Sequence, residues 1–454
     1  MPERTRKSMQ TYIAKKSVLT DIFDAARSAV HPVDSVRRVL TRQNNRLSAG
    51  GAVYDLDVLN KVVVIGAGQA AGHMAAAVEA VLGDVISSGT VVVPYGCRAA
   101  SCVIEQTEAD HAIPDKAGLQ ATRKILDMLR GVDAGTLVVC LLSAGASSLL
   151  VDPLPGVTLE DKQRSTDLLL RAGASCFELN TVLKHLSGVK GGRLARAAYP
   201  ATVLTLSLSD VLGDRMDMIA SGPMAPGNAT FCEAARVIGK YGLRYKLPEQ
   251  VMAFIERGTR GQEPETAKSD EMCFLRTRNI IVGGTAQALF AAGNKARESG
   301  YLVELAIAED RGPADRTARI LAKKALRVRD SLKYGEQRCL LFCGESPAAK
   351  PRSGKGGRNR ELALAFAREI AGIPGITLLS AGTDGPWERT GAVVDGTTIP
   401  DARAQGLHVQ AFLDDKDTAA FFKKLGPAAD GRNGGAAGPD GINTMNVQVI
   451  LVES

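Results

Sequence analysis

Several short runs of small residues carry a charged, amide or hydroxyl side chain directly beside an apolar run. Gly66-Ala67-Gly68-Gln69-Ala70-Ala71 follows Val62-Val63-Val64-Ile65, and Ser143-Ala144-Gly145-Ala146-Ser147-Ser148 follows Leu137–Leu142. Ser209-Asp210 follows Val203–Leu208, and Ser380-Ala381-Gly382-Thr383-Asp384-Gly385 follows Thr377–Leu379. Gly354-Lys355-Gly356-Gly357-Arg358-Asn359 stands before a helix-forming stretch, Arg360–Ile370. Small residues let the backbone approach a ligand, and hydroxyls donate to phosphate oxygens. Lys and Arg at a helix start clamp an anion. A carboxylate at a strand end holds Mg²⁺ or accepts a proton from a substrate hydroxyl. Together these runs point to phosphate chemistry without naming a substrate.

Each run also has a plainer reading. The first suits an anion at a helix N-terminus and matches the G-x-G-x-x-A dinucleotide fingerprint, but a tight turn accounts for its glycines nearly as well. A nicotinamide site needs an acidic residue about 20 positions on, at the end of the next strand. That strand ends in Val93-Pro94-Tyr95, so the nicotinamide reading is disfavoured. Residues 354–359 do not satisfy the Walker A pattern and read equally as a basic surface loop. Asp210 reads equally as a helix cap.

The elements that must position these residues alternate. Residues 17–47 show helical spacing. Strands at 62–65, 90–93, 137–142 and 203–208 are separated by helices at 69–82, 117–129, 159–171 and 176–186. Such alternation predicts a doubly wound parallel sheet with ligands at the carboxyl ends of its strands. Residues 244–275 are polar and contain Pro248 and Pro264, which suggests a boundary. A second series is expected from Asn279–Val282 onward, through Val303–Ala308, Leu340–Phe342 and Thr377–Leu379 to Val447–Val452. Residues 426–441 are expected to form a loop. The division expected is 1–250, a linker at 251–274, and 275–454.

With 454 residues, 45% of them hydrophobic, each domain can bury a core. Aromatic residues at 4% disfavour nucleic-acid stacking, and the net charge of +7 is spread without a Lys/Arg block. No nucleic-acid partner is expected, and an anionic small substrate explains the sign. The eight cysteines include no C-x-x-C and read as buried thiols of a reducing, cytoplasmic compartment rather than a zinc site. No run approaches the ~18–20 apolar residues of a membrane span. Met1–Lys16 reads as a frayed basic segment rather than a transit peptide.

The order of the motifs resembles the glycerate 2-kinase family with a C-terminal MOFRL domain. Glu108 to Asp115, Lys184-His185-Leu186-Ser187-Gly188-Val189-Lys190-Gly191-Gly192 and Leu208-Ser209-Asp210-Val211-Leu212-Gly213-Asp214 carry it in the first half. Ile219-Ala220-Ser221-Gly222-Pro223 comes next. Gly344-Glu345, residues 354–359 and residues 380–385 carry it in the second. The resemblance implies a Rossmann-like N-terminal domain, a C-terminal α/β domain and a cleft between them. It implies phosphorylation of D-glycerate to 2-phosphoglycerate with ATP and Mg²⁺, by a monomer or homodimer with no membrane partner. Lys190 and Arg358 would bind the substrate carboxylate and the moving phosphoryl group, with Gln69 beside the substrate. Asp210 and Asp384 would hold metal, or Asp210 activate the hydroxyl. Gly66, Gly68, Ser143, Gly145, Ser147, Lys355 and Asp384 would line the nucleotide phosphates.

The chain departs from that pattern at several points. Gln69 stands where the family has Lys, Leu183 where it has a basic residue, and Asn446 where it has Asp. Loss of a cation that touches the phosphoryl group lowers the rate by orders of magnitude. The alternative is therefore a catalytically weakened paralogue that binds nucleotide or metabolite. A hydroxypyruvate reductase is the less favoured third reading.

Overall fold

The computed structural model describes residues 3–111, 113–211, 213–305, 313–344, 357–383, 391–426 and 445–454, with side chains from residue 14 onward. They fall into two compact units, Pro32–Gly283 and Met1–His31 with Gly284–Ser454. The first helix, α1 (Glu3–Ala29), belongs to the latter.

The unit 32–283 starts with α2 (Pro32–Val39) and a small antiparallel sheet of β1 (Leu40–Gln43), β2 (Arg46–Ala49) and β3 (Ala52–Asp55). Next come β4 (Lys61–Ala67), α3 (Ala71–Leu82), β5 (Ser88–Pro94), β6 (Ile104–Ala109), α4 (Lys116–Arg130), β7 (Thr136–Leu142) and α5 (Ala146–Leu149). Helices α6 (Leu159–Arg171), α7 (Cys176–His185) and α8 (Arg193–Ala198) lead to β8 (Thr202–Leu208). Helices α9 (Phe231–Lys240), α10 (Glu249–Thr259) and α11 (Met272–Leu275) lead to β9 (Thr277–Gly283).

Strands β4 to β9 make one parallel six-stranded sheet in the order β6-β5-β4-β7-β8-β9. Counted from its own first strand this is 3-2-1-4-5-6, the doubly wound order expected. The order reverses between β4 and β7, so the loops after those two strands flank the crevice where such sheets bind ligands. The apolar runs became its central strands: every residue of β7 is buried, and β4 is buried from Val62 to Ala67. Capping boxes at Thr158, Ser175 and Thr230 fix the starts of α6, α7 and α9.

The expected linker and the expected start of the second series both differ from the structure. Within 251–274, α10 buries Val251, Phe254, Ile255 and Gly258 against Phe231, Leu169 and Val182. Asn279–Val282 lies in β9, the sixth strand of the first sheet, paired with β8. High average polarity hid an i, i+3, i+4, i+7 stripe that is amphipathic rather than unstructured.

The other unit contains α12 (Thr285–Glu298), β10 (Leu302–Leu305), α13 (Ala314–Ser331), β11 (Gln337–Gly344), α14 (Gly357–Glu369), β12 (Ile376–Gly382), β13 (Ala392–Asp395) and β14 (Asn446–Glu453). Its sheet runs β10-β11-β14-β12-β13, with β10 parallel to β11 and the last strand of the chain inserted antiparallel between β11 and β12. Phe342, Leu364, Phe366, Leu378, Phe421 and Ile450 belong to its core. Helix α1 packs along α12 and reaches β14, burying Leu19, Ile22, Phe23 and Ala26. Glu453 ties this packing together, 2.5 Å from Lys15 Nζ and accepting from Tyr301 Oη at 2.7 Å. Among the described residues no helix is long and apolar enough to cross a membrane.

Phe23 is fully buried although it lies more than 250 positions before the unit it joins. Phe23→Ala should destabilise that unit by about 3–5 kcal/mol. Amide exchange should show lost protection in α12 and β14, with β4 and β7 unchanged.

Candidate active site

The site grows from the two loops at the reversal point. Gly66 lies against β7, and a Cβ there would sit 2.2 Å from the Leu141 carbonyl oxygen. Gly68 has φ +133°, and its Cβ would sit 2.1 Å from Ser143 Oγ. The backbone N–H groups of this turn are engaged within the protein. Gly68 donates to Val92 O (3.0 Å), Gln69 to Ala144 O (2.8 Å) and Ala70 to Ser143 Oγ (3.0 Å). Ala71 donates to Gly68 O at 3.1 Å. The turn expected to offer a set of N–H groups to phosphate engages these four within the protein, two of them on the β7 loop. Gly66 and Gly68 serve that close approach, and Ser143, 2% exposed, is its acceptor.

The interlock presents Gln69, Gly145 and Ser147 in one place. Gly145 has φ +80°, and its hydrogen faces the His111 ring so closely that a Cβ would lie 2.2 Å from Cδ2. Gln69 Nε2 is 2.8 Å from His111 Nε2. Burial lowers the His111 pKa below the ordinary histidine value, so this pair is uncharged at neutral pH. The buried Oε1 of Gln69 has no hydrogen-bond partner among the described residues.

Lys190 comes up beneath Ser147. It is 1% exposed, and its Nζ donates to the Ser147 carbonyl, to Ser147 Oγ at 2.6 Å and to Ser221 Oγ at 3.4 Å. Ser221 Oγ lies 2.7 Å from Ser147 Oγ and donates to Asn180 Oδ1 at 2.6 Å. Every one of these acceptors is neutral. Burial, then the charges of Lys162 and Lys184, hold the Lys190 pKa well below the ordinary lysine value. Lys184 is lowered by burial too, against the pull of Asp217 at 4.0 Å. Lys162 is pushed down to about 8, chiefly by burial. Arg193 of α8 donates to the carbonyls of Lys184 (2.7 Å), Ser187 (2.9 Å) and Pro264 (3.1 Å), fixing the turn that carries Lys190.

Asp210 follows β8 on the same carboxyl-end side of the sheet, where Ser209 N–H donates to Gly283 O at 2.8 Å. Asp214, in the same turn, is raised by burial, and its Oδ1 is buried with no hydrogen-bond partner among the described residues. Mg²⁺ sites commonly use one or two carboxylates with phosphate oxygens supplying the rest, so this turn has a suitable donor set. Among the described residues no cluster of three or more His, Cys, Asp or Glu side chains is placed to bind a metal. Arg358 is in the first turn of α14, in the other unit. Its neighbour Asn359 is held in a buried network, donating to Asn446 Oδ1 at 2.6 Å and accepting from Ser380 Oγ at 2.9 Å. Lys355 and Asp384 lie outside the described residues.

The structure therefore gathers Gln69, Ser143, Gly145, Ser147 and Lys190. The sequence reading missed His111, Ser221 and Lys162 as members of this site. Lys162 had a signal, a lysine three positions after Leu159 on an apolar helix stripe.

Comparison with known proteins identifies the family. Residues 18–256 match the model of a domain of unknown function (DUF4147), and residues 338–445 that of the MOFRL family. A D-glycerate 2-kinase of Thermotoga maritima is 34% identical over 443 residues, 96% of this chain and 98% of its own. The chain belongs to the glycerate 2-kinase family with a C-terminal MOFRL domain. The crystal structure of a glycerate kinase from Thermotoga maritima matches with a TM-score of 0.78 at 34% identity, over 97% of this chain and 99% of its own. A putative hydroxypyruvate reductase of Agrobacterium vitis is 35% identical over 97% of this chain and 95% of its own.

Two departures from the family pattern are structurally quiet. Leu183 is buried at 6% exposure, as an apolar side chain should be. Asn446 accepts from Asn359 with an oxygen that Asp would also offer. Gln69 is the departure that lies within the gathered loops, against His111.

Ser143→Ala would leave the Ala70 N–H without its acceptor. Urea denaturation should show a loss of about 1–3 kcal/mol with an unchanged m-value.

Proposed function

We propose that this chain phosphorylates D-glycerate, forming 2-phosphoglycerate, with ATP as donor and Mg²⁺ as the metal. The observation that carries the reading is Lys190: a buried ammonium whose protein partners are all neutral oxygens, under the loop at the reversal point of a doubly wound sheet. An anionic substrate group supplies the counter-charge that the protein does not. Family membership narrows that group to the carboxylate or phosphoryl group of a glycerate kinase reaction.

In this reading Ser147 Oγ and Lys190 orient the substrate, and the Gln69–His111 pair meets it with hydrogen bonds rather than charge. Asp210 and Asp214 would hold Mg²⁺, which neutralises the phosphates as the phosphoryl group moves. The alternative role for Asp210 is as base for the attacking hydroxyl. Arg358, Lys355 and Asp384 are assigned to the phosphates by family pattern alone. The protein works in the cytoplasm as a monomer or homodimer. The reductase reading is not favoured: β5 ends at Pro94 and Tyr95, with no acid for a ribose.

A second reading rests on Gln69. Paired with a neutral His111, it leaves this loop without charge, which suits a weakened paralogue that binds nucleotide or metabolite.

The test is ADP release from ATP and Mg²⁺, with and without D-glycerate, with the product's phosphorylated carbon assigned by phosphorus NMR. Glycerate-dependent release is expected, and Lys190→Met should lower kcat/KM about a hundredfold or more. Binding without turnover, restored by Gln69→Lys, would favour the second reading. No release from either protein would sink the kinase reading.

A further inference from the structure

Helix α6 buries Leu159, Ser165 and Leu169 on one face, and Lys162 stands on that same face, 2% exposed. Its Nζ finds no hydrogen-bond partner among the described residues. Asp152 is the acidic group that acts on it and Arg193 the basic one. Asp152 is itself only half-buried and pairs with Arg123 at 3.8 Å. An unpaired ammonium on a core face is costly, and a leucine would serve packing better. The charge of Lys162 reaches Lys190, which no carboxylate pairs with among the described residues. A packing role explains neither lysine.

We propose that Lys162 is a positioning residue of the anion site: beside the Lys190 ammonium it takes up a proton as the anionic substrate binds, so that the substrate's charge is met by charge created on binding. This rests on the glycerate reading, with the carboxylate as the group received. Lys190 is faced by Lys162 from α6 and Lys184 from α7. Lys184 in turn feels Asp217, Arg215 and Lys268. Without ligand, burial leaves the Lys162 amine short of protons near pH 8. An anion reverses that balance, and a neutral Lys162 amine gains one proton from solvent with no other bond changed. Lys162, at about 8 in the free protein, is charged below that pH and neutral above it. Affinity should therefore hold below about pH 8 and weaken above it, by up to tenfold per pH unit for each proton taken up.

The test is calorimetric titration of the full chain with D-glycerate at pH 8, in buffers of different ionisation enthalpy. A second titration uses sulfate, an anion that does not itself titrate there. Uptake of up to about half a proton is expected. Lys162→Met should raise the melting temperature and weaken binding about tenfold, with less proton uptake. The gain in melting temperature should be full below about pH 8 and shrink as pH rises toward 10.5, because only the charged form is penalised by burial.

Binding with no buffer dependence would overturn the inference and leave the glycerate reading standing. So would a Lys162→Met protein that melts earlier and binds D-glycerate unchanged, as a purely structural lysine predicts. Should that variant not fold, the buffer dependence of the unaltered protein decides. Sulfate binding with proton uptake, but no D-glycerate binding, would support the inference and remove the substrate reading. No binding of either anion would overturn both.

Discussion

A lysine ammonium held 2.6 Å beneath a serine hydroxyl, with no carboxylate paired to it among the described residues, is the contact on which the loops of the first unit's candidate site converge. Desolvation disfavours such a charge strongly, so the surroundings must be organised well enough to keep it in place. Gly66 and Gly68 let the β4 loop press onto the β7 loop, which sets the position of Ser147. Arg193 pins the turn that carries Lys190 by bonding three carbonyl oxygens. Ser221 completes the set of neutral acceptors and itself donates to Asn180 Oδ1. Sheet topology, glycine placement and the polar turn all converge on one side chain.

Much of this was legible in the residues. The apolar runs at 62–65, 137–142 and 203–208 became β4, β7 and β8, because a strand buried on both faces must be continuously apolar. Ser143, Gly145, Ser147 and Lys190 were named from loop position and motif order, and they lie together. The purpose of the glycines was not legible. An anion cradle and a tight contact between two loops need the same residues, and only the positions of Leu141 O and Ser143 Oγ tell them apart. Nor could the sequence show that α1 packs with α12, since that contact is non-local and α1 is an ordinary amphipathic stretch until its partner is known. Averaged polarity misplaced the boundary because α10 is charged on one face and buried on the other.

The same reasoning sorts the departures from the family pattern. Asn446 and Leu183 sit in environments that want an acceptor oxygen and an apolar side chain, and they provide them. Gln69 sits beside a neutral histidine with its own oxygen unmatched. In the proposed reading, a substrate hydroxyl would be the donor to that oxygen. The proposed reading leaves electrostatic work to the buried lysines, Lys190 foremost, and recognition of the neutral part of the substrate to Gln69 and His111.

The central claim is that the space above Ser147 and Lys190 receives the anionic group of the substrate. A crystal structure of this protein soaked with D-glycerate tests it most directly. The account predicts the carboxylate within hydrogen-bonding distance of Ser147 Oγ and on the Lys190 side of the Gln69–His111 pair. A carboxylate bound elsewhere, with the Lys190–Ser147–Ser221 contacts unchanged and nothing above them, would contradict it.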